Sequence, residues 1–93
     1  MIKLSKKRGE ILMGNDELLK YIGTRFRKFR EDAGYSRNDA AELIGVTPRT
    51  LASYERGERE ISMDATIKMA QVYKTTFTRL TDYKNVLNDE VVI

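Results

Sequence analysis

The sequence predicts an all-α fold, a compact five-helix bundle with a flexible extension at each end. Three observations carry this prediction. Apolar residues return every three or four positions over most of the chain. Residues that start and stop helices punctuate those runs. Strand signals are nearly absent before Val91-Val92-Ile93, an end that reads as a short strand, a dimer contact or a frayed tail. With 93 residues, of which 41% are hydrophobic, the chain suffices for one domain with a modest core.

The first helix is expected to begin near Asn15 or Asp16, with acids at its positive end. Leu18, Leu19, Ile22, Phe26, Phe29 and Ala33 form its apolar stripe, and Lys20, Arg25, Arg27 and Lys28 a basic outer face. Gly34 closes it. Ser36, three residues before Asp39, resembles a capping box with Asp in place of Glu, and opens a short second helix over about 37–44. Thr47 followed by Pro48 is an N-cap with proline at N1, which starts a third helix over about 48–56, ended by Gly57. Ser62 caps a fourth helix with Asp64 in its first turn and Met63, Ile67, Ala70 and Tyr73 along one face. Thr76 caps a fifth containing Phe77 and Leu80.

The run RNDAAELIGVTPRTLASYER, residues 37–56, pairs helices two and three around Gly45 as a helix-turn-helix. Ala41 is small where the two helices cross, and Gly45 stands where the turn needs positive φ. Ile44, Val46 and Leu51 are apolar where the pair buries a shared core. Arg49, Ala52, Ser53 and Arg56 share the remaining face, the one a helix-turn-helix inserts into the DNA major groove.

Composition narrows the function classes. The chain has no cysteine and no histidine, so disulfides, thiolate metal sites and the usual general base are all excluded. No paired carboxylates stand in an apolar pocket pattern, and the expectation is a protein that is not an enzyme and takes no cofactor or metal. No apolar run reaches membrane-spanning length, and Arg8-Gly9-Glu10 interrupts any signal-peptide core, which points to the cytoplasm. Charge is uneven. Residues 1–30 hold nine Lys/Arg against three acids, and residues 31–93 eight against eleven. This asymmetry suits a basic arm beside a near-neutral domain, and a solvated tail explains it equally well. The expected organisation is a basic N-terminal arm over 1–14, a helix-turn-helix domain over 15–83, and a C-terminal tail over 84–93 available as a dimer contact.

Residues 22–81 resemble the helix-turn-helix domain of lambdoid repressors, Cro-like proteins and Xre-type regulators, and ERGEREISMDATIKMA is similar to part of the restriction–modification controller proteins. The chain departs from the family pattern at four places. Arg37 stands where the family usually has glutamine, Ala40 where it has leucine, and Ile61 where proline is frequent. Glu58 and Glu60 make the following loop acidic. The resemblance implies an ion pair between Arg30 and Glu55 and a core position for Tyr54.

On the exposed face of helix three, Thr47, Pro48, Arg49 and Ser53 are the expected base contacts. Arg49 leads them, because a guanidinium forks onto guanine O6 and N7. Pro48 is first of all a helix starter. Arg37, Asn38, Thr50, Arg56 and Arg59 border that face and are the expected phosphate contacts. The resulting expectation is a dimeric, sequence-specific transcriptional repressor on double-stranded DNA. The competing reading is an antitoxin-like interaction module with a protein partner. A membrane-surface role for residues 3–8 is disfavoured by poor amphipathicity.

Overall fold

A computed structural model describes residues 15–82, which fold as five α-helices without a strand: α1 (Asn15–Asp32), α2 (Arg37–Ile44), α3 (Pro48–Arg56), α4 (Met63–Val72) and α5 (Phe77–Thr81). The expected basic arm, the 84–93 tail and the Val91–Ile93 segment lie outside the described residues.

Four of the helices begin on the hydroxyl that the sequence marks. Ser36, Thr47, Ser62 and Thr76 accept from the amides of Asp39, Thr50, Ala65 and Arg79 at 3.0, 3.0, 3.1 and 3.1 Å. Each such bond satisfies an amide that the helix itself leaves unpaired. α1 carries Asp16 and Glu17 in its first turn and Arg30 in its last, matching the helix dipole.

Leu51, Met69 and Leu80 are completely buried and join α3, α4 and α5 in one core with Phe26, Ala40, Ala41, Ile44, Tyr54, Ala70 and Tyr73. α1 packs on α3 and α5, α2 on α3 and α4, and α4 on α5. α1 and α3 approach backbone to backbone. A Cβ on Gly23 would lie 2.6 Å from the carbonyl oxygens of Tyr54 and Glu55, and one on Gly57 would lie 2.6 Å from the N and Cα of Lys20. This crossing fixes how α3 sits on the domain.

Four sequence expectations are corrected. Ala33 is exposed, because α1 ends at Asp32 and Ala33 falls in the turn. On α4, Met63 and Ile67 face outward, and Thr66 joins Met69, Ala70 and Tyr73 inside, since α2 and α5 meet the neighbouring stripe of the helix. Arg25 does not belong to a free basic face. Its Nε donates to the Leu80 carbonyl at 3.2 Å, a second nitrogen donates to the Arg79 carbonyl, and the guanidinium lies 5.4 Å from the Phe29 ring centre. It thereby caps α5, whose last carbonyls have no partner inside the helix. Ala52 is buried, so it cannot line the groove-facing surface of α3.

α4 ends on Lys74 at φ 57°, with Thr75 N donating to the Ala70 carbonyl at 2.8 Å and Lys74 N to the Gln71 carbonyl at 3.1 Å. A side chain at positive φ is strained by about 1–2 kcal/mol, part of which glycine returns through its freer unfolded state. Lys74→Gly is therefore expected to stabilise the domain by about 0.5–1 kcal/mol. Thermal melts would show a rise of a few degrees, and a lowered midpoint would contradict the assignment of strain.

Candidate nucleic-acid interface

The site is built on the turn between α2 and α3. Gly45 adopts φ 91°, and the amides of Gly45 and Val46 both bond to the Ala41 carbonyl, at 2.8 and 3.0 Å, so the chain reverses in three residues. Thr47 then caps α3 with its hydroxyl, accepting from Thr50 N at 3.0 Å and donating to Thr50 Oγ1 at 2.9 Å. Pro48 occupies the first turn, where a missing N–H costs nothing. That turn holds no acid, and the positive end of the helix therefore stays unneutralised beside Arg49.

Thr47, Pro48 and Arg49 are brought together as an exposed cluster at the N-terminal end of α3, while Thr50 and Ser53 are half-buried. Asn38 is exposed near the start of α2, Arg56 is exposed in the last turn of α3, and Arg59 is exposed beyond it. Arg56 lies 3.0 Å from Glu58. Its hydrogen bond holds the Glu58 carboxyl below the usual carboxylate range. The acidic loop is thus partly answered by the last turn of α3.

The inner face of α3 is held by charge as well as apolar packing. Glu55 is buried and accepts from Arg30 twice, Nε to Oε2 at 2.7 Å and Nη2 to Oε1 at 3.1 Å. Arg30 Nη1 also donates to the Tyr35 carbonyl at 2.9 Å, so α1, α3 and the α1–α2 turn share one guanidinium. The forked geometry is the arrangement in which Arg and carboxylate pair most strongly. Arg37 approaches the same carboxylate, with Nε 3.5 Å from Glu55 Oε1, while 41% of its side chain stays exposed. The position that the family usually gives to glutamine here carries a second cation on Glu55, a link that the sequence reading missed. Nothing in the spacing of residues 37 and 55 signals it, since the two meet only once α2 is folded onto α3.

Tyr73 completes the surroundings of this cluster. Its ring lies 6.2 Å from that of Tyr35, and its hydroxyl is buried with no hydrogen-bond partner among the described residues. Burial, reinforced by the Glu55 charge, pushes its pKa upward and keeps it neutral. Tyr54 is also buried, beneath α3.

A helix-turn-helix family model matches residues 26–80. An HTH-type transcriptional regulatory protein of Thermococcus kodakarensis is 41% identical over 51 residues, 55% of this chain and 16% of that protein. The HTH-type transcriptional regulator ImmR of Bacillus subtilis is 32% identical over 62 residues, 67% of this chain and 46% of that protein. The chain thus spans less than half of either relative. The restriction–modification controller protein C.AhdI of Aeromonas hydrophila superposes with a TM-score of 0.65 at 29% identity, covering 67% of this chain and 90% of that one. Both relatives are named for transcriptional regulation, not for catalysis, and no described helix is long and apolar enough to cross a membrane. The family match covers α2, the turn and α3 together with the core that holds them, and on it the chain belongs to the helix-turn-helix family of the Xre/Cro–C1 type.

Proposed function

We propose that this chain is a sequence-specific DNA-binding transcriptional regulator, a cytoplasmic dimeric repressor that reads a palindromic operator through the major groove. The observation that carries the reading is the division of α3 into two faces. Leu51, Ala52, Tyr54 and Glu55 are buried, and the exposed Thr47, Pro48 and Arg49 lead outward from its N-terminal end. In this docking mode the N-terminal residues of the second helix meet base edges. Thr47, Pro48, Arg49 and Ser53 are assigned to bases, and Arg37, Asn38, Thr50, Arg56 and Arg59 to phosphates. Two half-sites about one helical turn apart require a twofold symmetric protein, with α5 and the chain end as its contact surface. Repression then needs only that the bound dimer occlude a promoter.

Selecting bound duplexes from a random pool tests the reading. A palindromic consensus is expected, with log K falling against log salt at a slope of roughly −5 for about six phosphate contacts per dimer. Arg49→Ala is expected to relax one base position per half-site by about 1–3 kcal/mol. Arg37→Ala is expected to weaken all sequences alike. Equal affinity for every duplex, or binding indifferent to salt, would end the proposal.

A further inference from the structure

An apolar groove of about 310 Å³ opens on the side of the domain formed by α1, α4 and α5. Leu18, Leu19, Ile22 and Phe26 of α1, Met63 of α4 and Phe77 of α5 line it. Met63 is 61% exposed and Ile67, one turn along α4, is 43% exposed, so an apolar strip continues from the groove over the outer face of α4. Phe26 and Tyr54 of the core form the groove's floor, and Leu18, Leu19, Met63 and Phe77 its more open rim.

We propose that the groove receives residues 83–93 of a second copy of this chain, exchanged reciprocally about a twofold axis. The proposal rests on the dimer reading above and adds the seat that reading lacks. Thr81 lines the groove, and the described chain ends one residue later at Asp82, so the segment starts at the groove's edge. It supplies Val86, Leu87, Val91, Val92 and Ile93, apolar side chains that suit such a lining. Four residues of extended chain reach up to ~14 Å, so residues 83–86 give the segment room to leave its own domain before Leu87. Charge agrees as well. Arg59 and Glu60 border the groove with no ion pair among the described residues, and the segment carries Asp89 and Glu90 together with Lys84. A second copy, not the chain's own tail, is the chosen occupant because Ile67, 43% exposed and outside the groove, leaves apolar surface on α4 that a tail filling the groove does not account for. A twofold exchange closes the assembly and leaves no free groove.

The absence of cysteine makes a direct test clean. Met63→Cys and Leu87→Cys chains, mixed at dimer-forming concentration and oxidised, are expected to give a disulfide-linked heterodimer several-fold in excess of either linked homodimer. Met63→Glu, at an exposed position, is expected to raise the concentration for half-dimerisation at least tenfold in sedimentation without moving the thermal melt recorded below the dimerising concentration. A bridge that forms only within a single Met63→Cys/Leu87→Cys chain would overturn the proposal in favour of the chain's own tail. Absence of any bridge, with Met63→Glu dimerising normally, would overturn the seat while leaving the dimer reading intact. An unsubstituted chain that stays monomeric at every concentration, with and without operator DNA, would remove the dimer reading itself.

Discussion

Gly57→Ala is expected to destabilise the domain by about 3 kcal/mol or more, a large share of the roughly 5–15 kcal/mol that holds a small domain together. Two costs combine at this residue. Its φ of 71° lies in the left-handed region, where a Cβ costs about 1–2 kcal/mol. That Cβ would also lie 2.6 Å from the backbone of Lys20, and backbone cannot swing aside as a flexible side chain can. Forcing an atom into such a contact costs about 1–3 kcal/mol or more. Gly45→Ala provides the control, because φ there is 91° but the space is open. Its loss is expected to be the backbone part alone, about 1–2 kcal/mol. Gly23→Ala isolates the steric part, since it meets the carbonyls of Tyr54 and Glu55 from a position inside α1. Urea unfolding of the three variants would settle the matter. Equal losses at positions 45 and 57 would mean that α1 and α3 separate without penalty.

Glu55→Ala is expected to cost about 3–5 kcal/mol, because Arg30 would keep its charge in the interior with no carboxylate to answer it. The side chains of Arg30 and Glu55 are only 7% and 2% exposed, so little water reaches the pair. Replacing both residues by methionine is expected to recover much of the loss, since removing a whole buried pair costs far less than removing half of it. Glu58→Ala, which breaks the exposed pair with Arg56, is the comparison and should change stability little. A Glu55→Ala loss no larger than that of Glu58→Ala would show that water or movement relieves the buried charge. Because Glu55 lies on α3, Glu55→Gln should keep the fold better than alanine while loosening the helix that faces outward. A hydrogen-exchange comparison of α3 amides in the two variants would reveal it.

The helices and their ends were legible because the interactions that set them are local. A serine or threonine three residues before an amide, a proline at N1, and a glycine after the last turn each act within a few residues of chain. Ser36, Thr47, Ser62 and Thr76 behave as those distances require. The division of α3 was legible for a related reason. Leu51, Tyr54 and Glu55 fall on one side of a 3.6-residue period and Arg49, Ser53 and Arg56 on the other, while Thr47 and Pro48 are exposed because they stand at the helix start. Ala52 sits at the boundary between the two faces, and its angle on the helix alone could not say which side would cover it.

What the sequence determined by itself, then, is everything that follows from neighbours along the chain: five helices, their caps, the glycine turn, and the family to which residues 26–80 belong. What only the tertiary structure decided is which surfaces meet. Gly23 satisfies no requirement inside α1, and its reason is the Tyr54 and Glu55 carbonyls of a helix some thirty residues away. On α4 two stripes offset by one position satisfy the helical period almost equally. The placement of α2 and α5 selects Thr66, Met69, Ala70 and Tyr73 for the interior and leaves Met63 and Ile67 outside. Arg25 reads as part of a basic outer face and Arg37 as a phosphate contact; once the helices dock, the carbonyls of α5 take up Arg25 and the Glu55 carboxylate comes within 3.5 Å of Arg37. Periodicity fixes a side chain's direction relative to its own helix. Only packing fixes what lies in that direction.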